Sequence, residues 1–153
     1  MKIGIISDTH NLLRPEAIAA LHGSDHILHA GDIGDLSILR TLERIAPVTA
    51  IRGNTDTQGP TSKLPHTEAV ELAGHLFYLV HSVHDLDLNP QAAKISAVIS
   101  GHSHEPSIET INGVLYLNPG SAGPRRFTLP ISIAQIQING PTLTPTIQTL
   151  IAD

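Results

Sequence analysis

The sequence contains no cysteine and no tryptophan, and aromatic residues make up only 3% of its 153 residues. The absence of cysteine excludes disulfide bonds, thiol catalysis and cysteine-ligated zinc. The low aromatic content leaves little surface on which nucleic-acid bases could stack, which argues against single-stranded nucleic-acid binding. Nine Lys and Arg stand against 14 Asp and Glu, giving a formal net charge of −5. That balance disfavours a nucleic-acid binder that works through a basic face.

Long apolar runs are also missing. No stretch approaches the ~20 residues that a membrane helix needs. The apolar start of the chain, residues 1–6, is too short for the core of a signal peptide, and Asp8 interrupts it. We therefore expect a cytoplasmic protein without a membrane partner. With 41% apolar residues, residues 1–153 are expected to form a single domain with its own core.

The first half of the chain alternates strand and helix signals. Apolar, strand-like runs cover residues 2–7, 26–30 and 48–52. Pro15 lies in the first turn of one predicted helix, and Asp35 occupies the N-cap position of the next. This alternation predicts parallel strands with helices packed on them.

The second half is predicted to be mostly β. Three pairs of strand-like runs flank turn residues: 67–72 and 76–80, 108–111 and 114–117, and 131–138 and 143–150. Their turns contain Ala73-Gly74, Asn112-Gly113 and Asn139-Gly140, and Asn-Gly is the strongest short-range hairpin signal. Residues 90–95 predict a short helix and residues 97–100 a short strand.

Ten histidines are an unusual number beside nine Lys and Arg, and His is the commonest metal ligand. Five short runs each follow an apolar, strand-like segment with side chains that can ligate metals. They are Asp8-Thr9-His10, Gly31-Asp32, Gly53-Asn54, His81 and Gly101-His102-Ser103-His104. In open sheets, ligands gather beyond the carboxyl ends of strands, so these runs are expected to converge. Two carboxylates, one amide and four imidazoles suffice for two metal ions, which favours metal-assisted hydrolysis of a phosphate ester.

The spacing within the runs fits this interpretation. Residues two apart in extended backbone point to the same side, so Asp8 with His10, and His102 with His104, can each face one cleft. Glycines 31, 53 and 101 each precede a candidate ligand and permit close approach of the backbone. His29 ends an apolar run and is expected to lie buried and hydrogen-bonded near the site.

Taken together, these motifs resemble the signature of the calcineurin-like metallophosphoesterases. The best match is the small bacterial and archaeal phosphodiesterase branch, which is related to the retromer subunit Vps29. The run Asn118-Pro119-Gly120-Ser121, followed by Pro124-Arg125, also resembles that branch, and the resemblance extends from residue 1 to about residue 138. It implies an α/β fold, a four-layer α-β-β-α sandwich with two mixed β-sheets, and a dinuclear metal site.

The resemblance also implies which residues hold the two ions. One ion would take Asp8, His10, Asp32 and His104, and the other Asp32, Asn54, His81 and His102, with Asp32 as the bridge. Mixed nitrogen and oxygen ligation suits manganese, the expected metal, with zinc, iron, nickel and cobalt as alternatives. Two such ions lower the pKa of a bridging water, and the resulting hydroxide attacks phosphorus.

Two positions depart from the family pattern. Many members have a His directly after the motif Asn, where it is thought to protonate the leaving group, but this chain has Thr55 there. His84 follows in a His-Ser-Val-His run where relatives usually have His-Gly-His, and it is the candidate for a substitute acid. Arg125 is a candidate for phosphate contact, because a guanidinium suits that geometry.

Three functions remain open from the sequence. The first is a phosphodiesterase that acts on small phosphate esters, including monoesters, with nucleic acid only as a substrate. The second is a catalytically weak or inactive metal-binding scaffold for protein partners, as in Vps29, and the third is a metal-binding regulator without turnover. A scaffold has no reason to retain all seven ligands, so the complete set favours the enzyme. Exposed strand edges would allow a homodimer.

Overall fold

The computed structural model describes residues 1–151. Its α-helices are α1 (Pro15–Leu21) and α2 (Leu36–Glu43), and two 3-10 turns cover Pro60–Lys63 and Val83–Asp85. The strands are β1 (Lys2–Ile6), β2 (His26–His29), β3 (Val48–Ala50), β4 (Thr67–Leu72), β5 (His75–Val80), β6 (Ala97–Ile99), β7 (Ser107–Ile111), β8 (Val114–Asn118), β9 (Ile131–Asn139) and β10 (Thr142–Ile151). No helix within these residues is long and apolar enough to cross a bilayer.

The strands form two mixed five-stranded sheets, ordered β10-β9-β1-β2-β3 and β4-β5-β6-β8-β7. In the first sheet β1, β2 and β3 run parallel, and β9 pairs antiparallel with β1. In the second, β5, β6 and β8 run parallel, and β4 and β7 are antiparallel edge strands. The predicted α/β fold with two mixed sheets is confirmed.

Aliphatic side chains hold the layers together. The sheets face each other across one core, to which the first sheet contributes Ile5 and Leu28 and the second Phe77 and Leu79. Both helices pack on the other face of the first sheet, in a cluster that includes Leu21 of α1 and Leu39 and Leu42 of α2 with Ile6 and Ile27. Burying each such side chain contributes roughly 1.5–3 kcal/mol. The paired sheets and α-helices provide a rigid support for the loops at the strand ends.

The outer face of the second sheet is covered differently. Leu86 and Leu88, which follow the second 3-10 turn, pack against a small cluster that contains Val80 and Val98. The helix predicted over residues 90–95 is wrong, because this segment forms hydrogen-bonded turns. Lys94 has a φ of 59°, which interrupts the right-handed helical path after one turn. In the described chain this fourth layer is therefore built of 3-10 and turn segments.

Candidate metal centre

All five sequence motifs follow strand ends that meet at one place. Asp8 and His10 follow β1 and Asp32 follows β2, whereas His81 follows β5 and His102 and His104 follow β6. Two groups have ligand atoms that all lie within 4.8 Å of one another. They are Asp8 with His10 and His104, and Asp32 with His81 and His102. Each cluster therefore combines side chains from both sheets.

In the first cluster, three side chains direct their polar atoms at a common point. Nε2 of His104 lies 3.4 Å from Oδ1 of Asp8, and Nε2 of His10 lies 3.8 Å from the same oxygen. The two Nε2 atoms are 3.4 Å apart. Asp8 Oδ1 is buried and has no hydrogen-bond partner. Its other oxygen accepts hydrogen bonds from the Ser7 hydroxyl and the His102 N–H, which leaves Oδ1 facing the imidazoles.

The second cluster is organised around His81. Nδ1 of His81 lies 2.7 Å from the carbonyl oxygen of Ala30. A ring N–H at that nitrogen donates to the carbonyl and leaves the lone pair of Nε2 for a ligand, the arrangement typical of metal-binding imidazoles. Nε2 is 3.2 Å from Asp32 Oδ2 but has no well-aligned hydrogen bond. Asn54 joins this cluster through its Oδ1, which is 3.1 Å from Nδ1 of His102.

Asp32 lies between the two clusters. Its Oδ2 is 3.2 Å from Nε2 of His81 in one cluster and 3.7 Å from Nε2 of His10 in the other. Oδ1 accepts a hydrogen bond from the N–H of Thr55, which fixes the carboxylate on the loop that carries Asn54. The structure thus brings the seven predicted ligands together, with Asp32 in the position expected of a bridge. Their role as ligands stays a prediction.

The pKa values follow from this packing. Burial raises the pKa of Asp32, but the neighbouring His81 ring and the hydrogen bond from the Thr55 N–H outweigh it and hold the pKa well below its usual range. Burial also raises the pKa of Asp8, and the neighbouring His104 and His81 again lower it overall. Burial lowers the pKa of His81, but the Asp32 carboxylate and the Ala30 carbonyl raise it overall. Both carboxylates are therefore ionised at neutral pH, as metal binding requires.

The backbone at the site is strained. Five of the seven candidate ligands adopt positive φ: Asp8 at 55°, His10 at 44°, Asp32 at 55°, His102 at 72° and His104 at 63°. This region is unfavourable for side chains other than glycine, at of order 1–3 kcal/mol for each residue. Such strain persists only where the surrounding structure enforces it, and it concentrates at functional sites.

The glycines before the ligands are required by close contacts. A Cβ on Gly31 would lie 2.7 Å from Nδ1 of His81 and 2.8 Å from the backbone nitrogen of Gly53. A Cβ on Gly53 would overlap Asp32, and one on Gly101 would overlap the hydroxyl of Ser7. The predicted close approach of the backbone is confirmed at these three positions.

The sequence interpretation missed the role of Asp56. This buried carboxylate accepts hydrogen bonds from the backbone N–H groups of Ile33, Gly34 and Gly53 at 2.9–3.1 Å. It therefore clamps the loop of Asp32 to the loop of Asn54. The signal was an acidic residue two positions after the motif Asn, but its three donors lie on backbone that sequence alone cannot place.

The run at residues 118–121 has a physical role as well. The Asn118 side-chain amide donates to the carbonyl of Gly101 and to the Ser103 hydroxyl, at 2.9 and 3.1 Å. The Ser121 hydroxyl donates to the backbone carbonyl of Asp8 at 3.0 Å. These bonds hold the two loops that carry the first cluster.

The two candidate catalytic residues lie outside the clusters. His84 is exposed and lines a groove of about 620 Å3 that His102 also lines. The guanidinium of Arg125 donates to the backbone carbonyls of Leu129 and Ile151, at 3.1 and 3.4 Å. Their roles in proton transfer and phosphate contact stay predictions.

The sequence matches the model of the calcineurin-like phosphoesterase superfamily domain over residues 1–140. A probable metallophosphoesterase of Methanothermobacter thermautotrophicus is 36% identical, with 94% of this chain and 89% of that protein covered. A phosphodiesterase of Methanocaldococcus jannaschii is 29% identical, with 78% of this chain and 83% of that protein covered.

Solved structures show the same fold. An archaeal phosphodiesterase superposes with a TM-score of 0.79 at 27% identity, covering 97% of this chain and 100% of that chain. Vps29 of Entamoeba histolytica, in complex with zinc, superposes with a TM-score of 0.80 at 22% identity, covering 99% of this chain and 93% of that chain. At that identity the likeness to Vps29 concerns the fold alone.

Proposed function

The chain belongs to the calcineurin-like phosphoesterase superfamily, and from this premise we propose that it is a dinuclear metal-dependent phosphodiesterase that acts on small phosphate esters, including monoesters. The observation that carries the proposal is the pair of neighbouring clusters, because the carboxylate of Asp32 belongs to one and lies close to His10 of the other. One contains Asp8 and the other His81, and their ligand atoms face inward. The archaeal relatives described as phosphodiesterases support the choice of diesters.

The donor set fits divalent cations. Asp8 Oδ1 and His81 Nε2 are buried polar atoms without a hydrogen-bond partner. Each such atom costs about 1–3 kcal/mol if it stays unsatisfied. A cation in each cluster would satisfy these atoms and offset the negative charge of Asp8 and Asp32. The mixture of imidazole, carboxylate and amide donors suits manganese, zinc, iron, nickel or cobalt without choosing among them, and we take manganese as the first ion to test.

The side chains have distinct tasks in this mechanism. Two divalent ions held by the clusters of Asp8 and Asp32 would supply an activated water and neutralise charge on the phosphate. Asp32 holds its carboxylate between the clusters because the Thr55 N–H fixes Oδ1. The Ala30 carbonyl keeps the His81 ring oriented. We assign His84 to protonation of the leaving oxygen and Arg125 to contact with the phosphate.

The proposal is tested with protein stripped of metal and resupplied with single divalent ions. Hydrolysis of bis(p-nitrophenyl) phosphate is followed for wild type, Asp32→Asn and Asp87→Asn. Wild type should regain turnover with at least one ion, and Asp32→Asn should lose at least about 100-fold, because it removes the bridging charge. Asp87, an exposed acid outside both clusters, serves as the control and should retain full activity.

One result would contradict the phosphodiesterase proposal. If wild type binds metal but hydrolyses neither aryl diesters nor aryl monoesters with any of the five metals, the protein is not a phosphoesterase. The scaffold and the metal-binding regulator would then remain as its functions.

The role of His84 predicts a dependence on the leaving group. A p-nitrophenolate leaves without a proton, whereas an alkoxide needs one, and a general acid is worth roughly 100-fold or more in that case. His84→Gln should therefore have little effect on the release of p-nitrophenolate from a methyl p-nitrophenyl diester. The same variant should slow hydrolysis of a dialkyl diester by about 100-fold. Equal losses on both substrates would assign His84 a structural role.

A further inference from the structure

A second groove, of about 550 Å3, opens beside the second metal cluster. Its lining combines the candidate ligands Asn54, His81 and His102 with the side chains of Arg52, His66 and Asp85. The groove therefore extends from the proposed metal centre to a cation that has no task in the mechanism above.

Arg52 is positioned firmly in the wall of this groove. Its backbone N–H donates to the carbonyl of Pro65 at 3.0 Å, and its Nη1 donates to the carbonyl of Ser62 at 2.9 Å. Both contacts fasten it to the segment that follows the Asn54 loop. The side chain is half-buried, so the surrounding protein also restricts its position.

Among residues 1–151, no acidic side chain forms an ion pair with the guanidinium of Arg52. Every salt bridge within residues 1–151 joins a His of the metal clusters to Asp8 or Asp32, and none includes Arg52. Its Nε is buried without a hydrogen-bond partner. Asp85, the acidic side chain of the groove, is exposed at the end of a 3-10 turn and forms no ion pair with Arg52. An anion in the groove would supply the charge partner that this guanidinium lacks within residues 1–151.

A phosphodiester needs space for two ester substituents. The groove of Arg52 and the larger groove lined by His84 share Ser82 and His102, so the two grooves meet at the metal centre. The lining of the larger groove includes Ile111, Tyr116 and the acidic Glu109 but no Lys or Arg, which suits an uncharged organic group better than an anion. The groove of Arg52 offers a cation instead.

We propose that Arg52 binds an anionic group on one ester substituent, beside the scissile phosphate. The inference rests on the proposed function and specifies its substrate class: phosphodiesters that carry a second phosphate on one arm. Arg52 belongs to neither metal cluster, and the ions would hold the scissile phosphate, which leaves Arg52 for the second anion. A guanidinium matches a phosphate with two parallel hydrogen bonds, which a lysine ammonium does not reproduce.

The test uses two substrates that differ in one phosphate. They are thymidine 5′-(p-nitrophenyl phosphate) and the same diester with a 3′-phosphate. Wild type should prefer the 3′-phosphorylated diester in kcat/KM by about tenfold, mainly through a lower KM, because a charge-assisted hydrogen bond is gained. Arg52→Gln should bring the ratio of the two kcat/KM values near one, and Arg52→Lys should keep an intermediate ratio.

Lys63→Gln is the matched control. Lys63 is an exposed cation on the same segment that does not line the groove, so its removal should leave the ratio unchanged. Because each variant is judged by a ratio, a general loss of folded protein does not imitate the result. A wild-type ratio near one, or an unchanged ratio in Arg52→Gln, would overturn the inference.

A binding measurement separates this inference from the proposed activity. Thymidine 3′,5′-bisphosphate and thymidine 5′-phosphate are titrated calorimetrically into metal-loaded wild type and Arg52→Gln. Wild type should bind the bisphosphate about tenfold more tightly than the monophosphate, whereas Arg52→Gln should bind both with similar affinity. If that holds while neither diester is hydrolysed, the anion site stands and the phosphodiesterase proposal fails. Hydrolysis with equal binding of the two nucleotides would reject the site alone.

Discussion

His29 shows how one buried side chain depends on its protonation state. The Gly31 N–H donates to its Nδ1 at 3.1 Å, so that nitrogen must be unprotonated. The ring proton is then on Nε2, which lies 3.1 Å from the Thr9 hydroxyl, and that hydroxyl donates to the carbonyl of Ile33. Burial lowers the pKa of His29 to about 4. Through the Thr9 hydroxyl, the neutral ring thus connects the backbone on both sides of Asp32 with the residue that follows Asp8.

This lowered pKa predicts that stability falls in mild acid. Between the ordinary His pKa of 6.5 and about 4, the unfolded chain binds a proton that the folded protein does not. The free energy of unfolding of metal-free wild type should therefore fall by about 2 kcal/mol from pH 7 to pH 4.5 through His29. Urea denaturation at both pH values measures it.

Two variants test whether His29 causes this decrease in stability. In His29→Gln the decrease in the free energy of unfolding between the two pH values should be smaller by about 2 kcal/mol, whereas the exposed His22→Gln should match wild type. The carboxylates of Asp8 and Asp32 should not contribute to this decrease. Their pKa values are lowered in the folded protein, so the stability that they add is lost only below pH 3.8. An equal decrease in wild type and His29→Gln would contradict the prediction.

At the level of helices and strands, local signals predicted most of the structure. Pro15 and Asp35 mark the beginnings of α1 and α2, and the Asp35 side chain accepts the N–H of Ser37 as an N-cap. Asn112 and Gly113 adopt the paired positive φ angles of a tight hairpin, 50° and 77°. These features depend on residues close in sequence, so the chain itself reveals them.

Features that depend on distant backbone were not predictable. The helix expected over residues 90–95 fails at Lys94, whose positive φ no local residue signals. The strained φ angles of the ligands Asp8 and His104 likewise follow from how the loops pack. Asp56 has three backbone donors on two loops, and only the assembled sheet edge brings them together. The candidate ligands could be proposed from their motifs, but the clamp that fixes their loops could not.

For the whole molecule, the candidate metal centre lies where the two sheets meet. Asp8 and Asp32 come from the first sheet, and His81, His102 and His104 come from the second. The sheets otherwise meet through the aliphatic core between them. A cation in either cluster would therefore add a direct connection between the sheets at the edge where the loops are strained. Because the unfolded chain has no such site, binding is expected to stabilise the fold.

Metal binding should therefore raise the melting temperature, Tm. At a metal concentration 100 times the Kd, one ion stabilises the protein by about 2.7 kcal/mol, which corresponds to a Tm increase of about 5–10 °C for a domain of this size. His102→Ala should lose much of the metal-induced increase in Tm. Its metal-free Tm should differ little from that of wild type, because His102 is exposed and its hydrogen bond to Asn54 is worth only about 1 kcal/mol. His22→Ala, exposed and outside both clusters, should keep the full increase. Calorimetric scans with and without manganese measure all three, and an unchanged increase in His102→Ala would show that the ion stabilises the fold from another site.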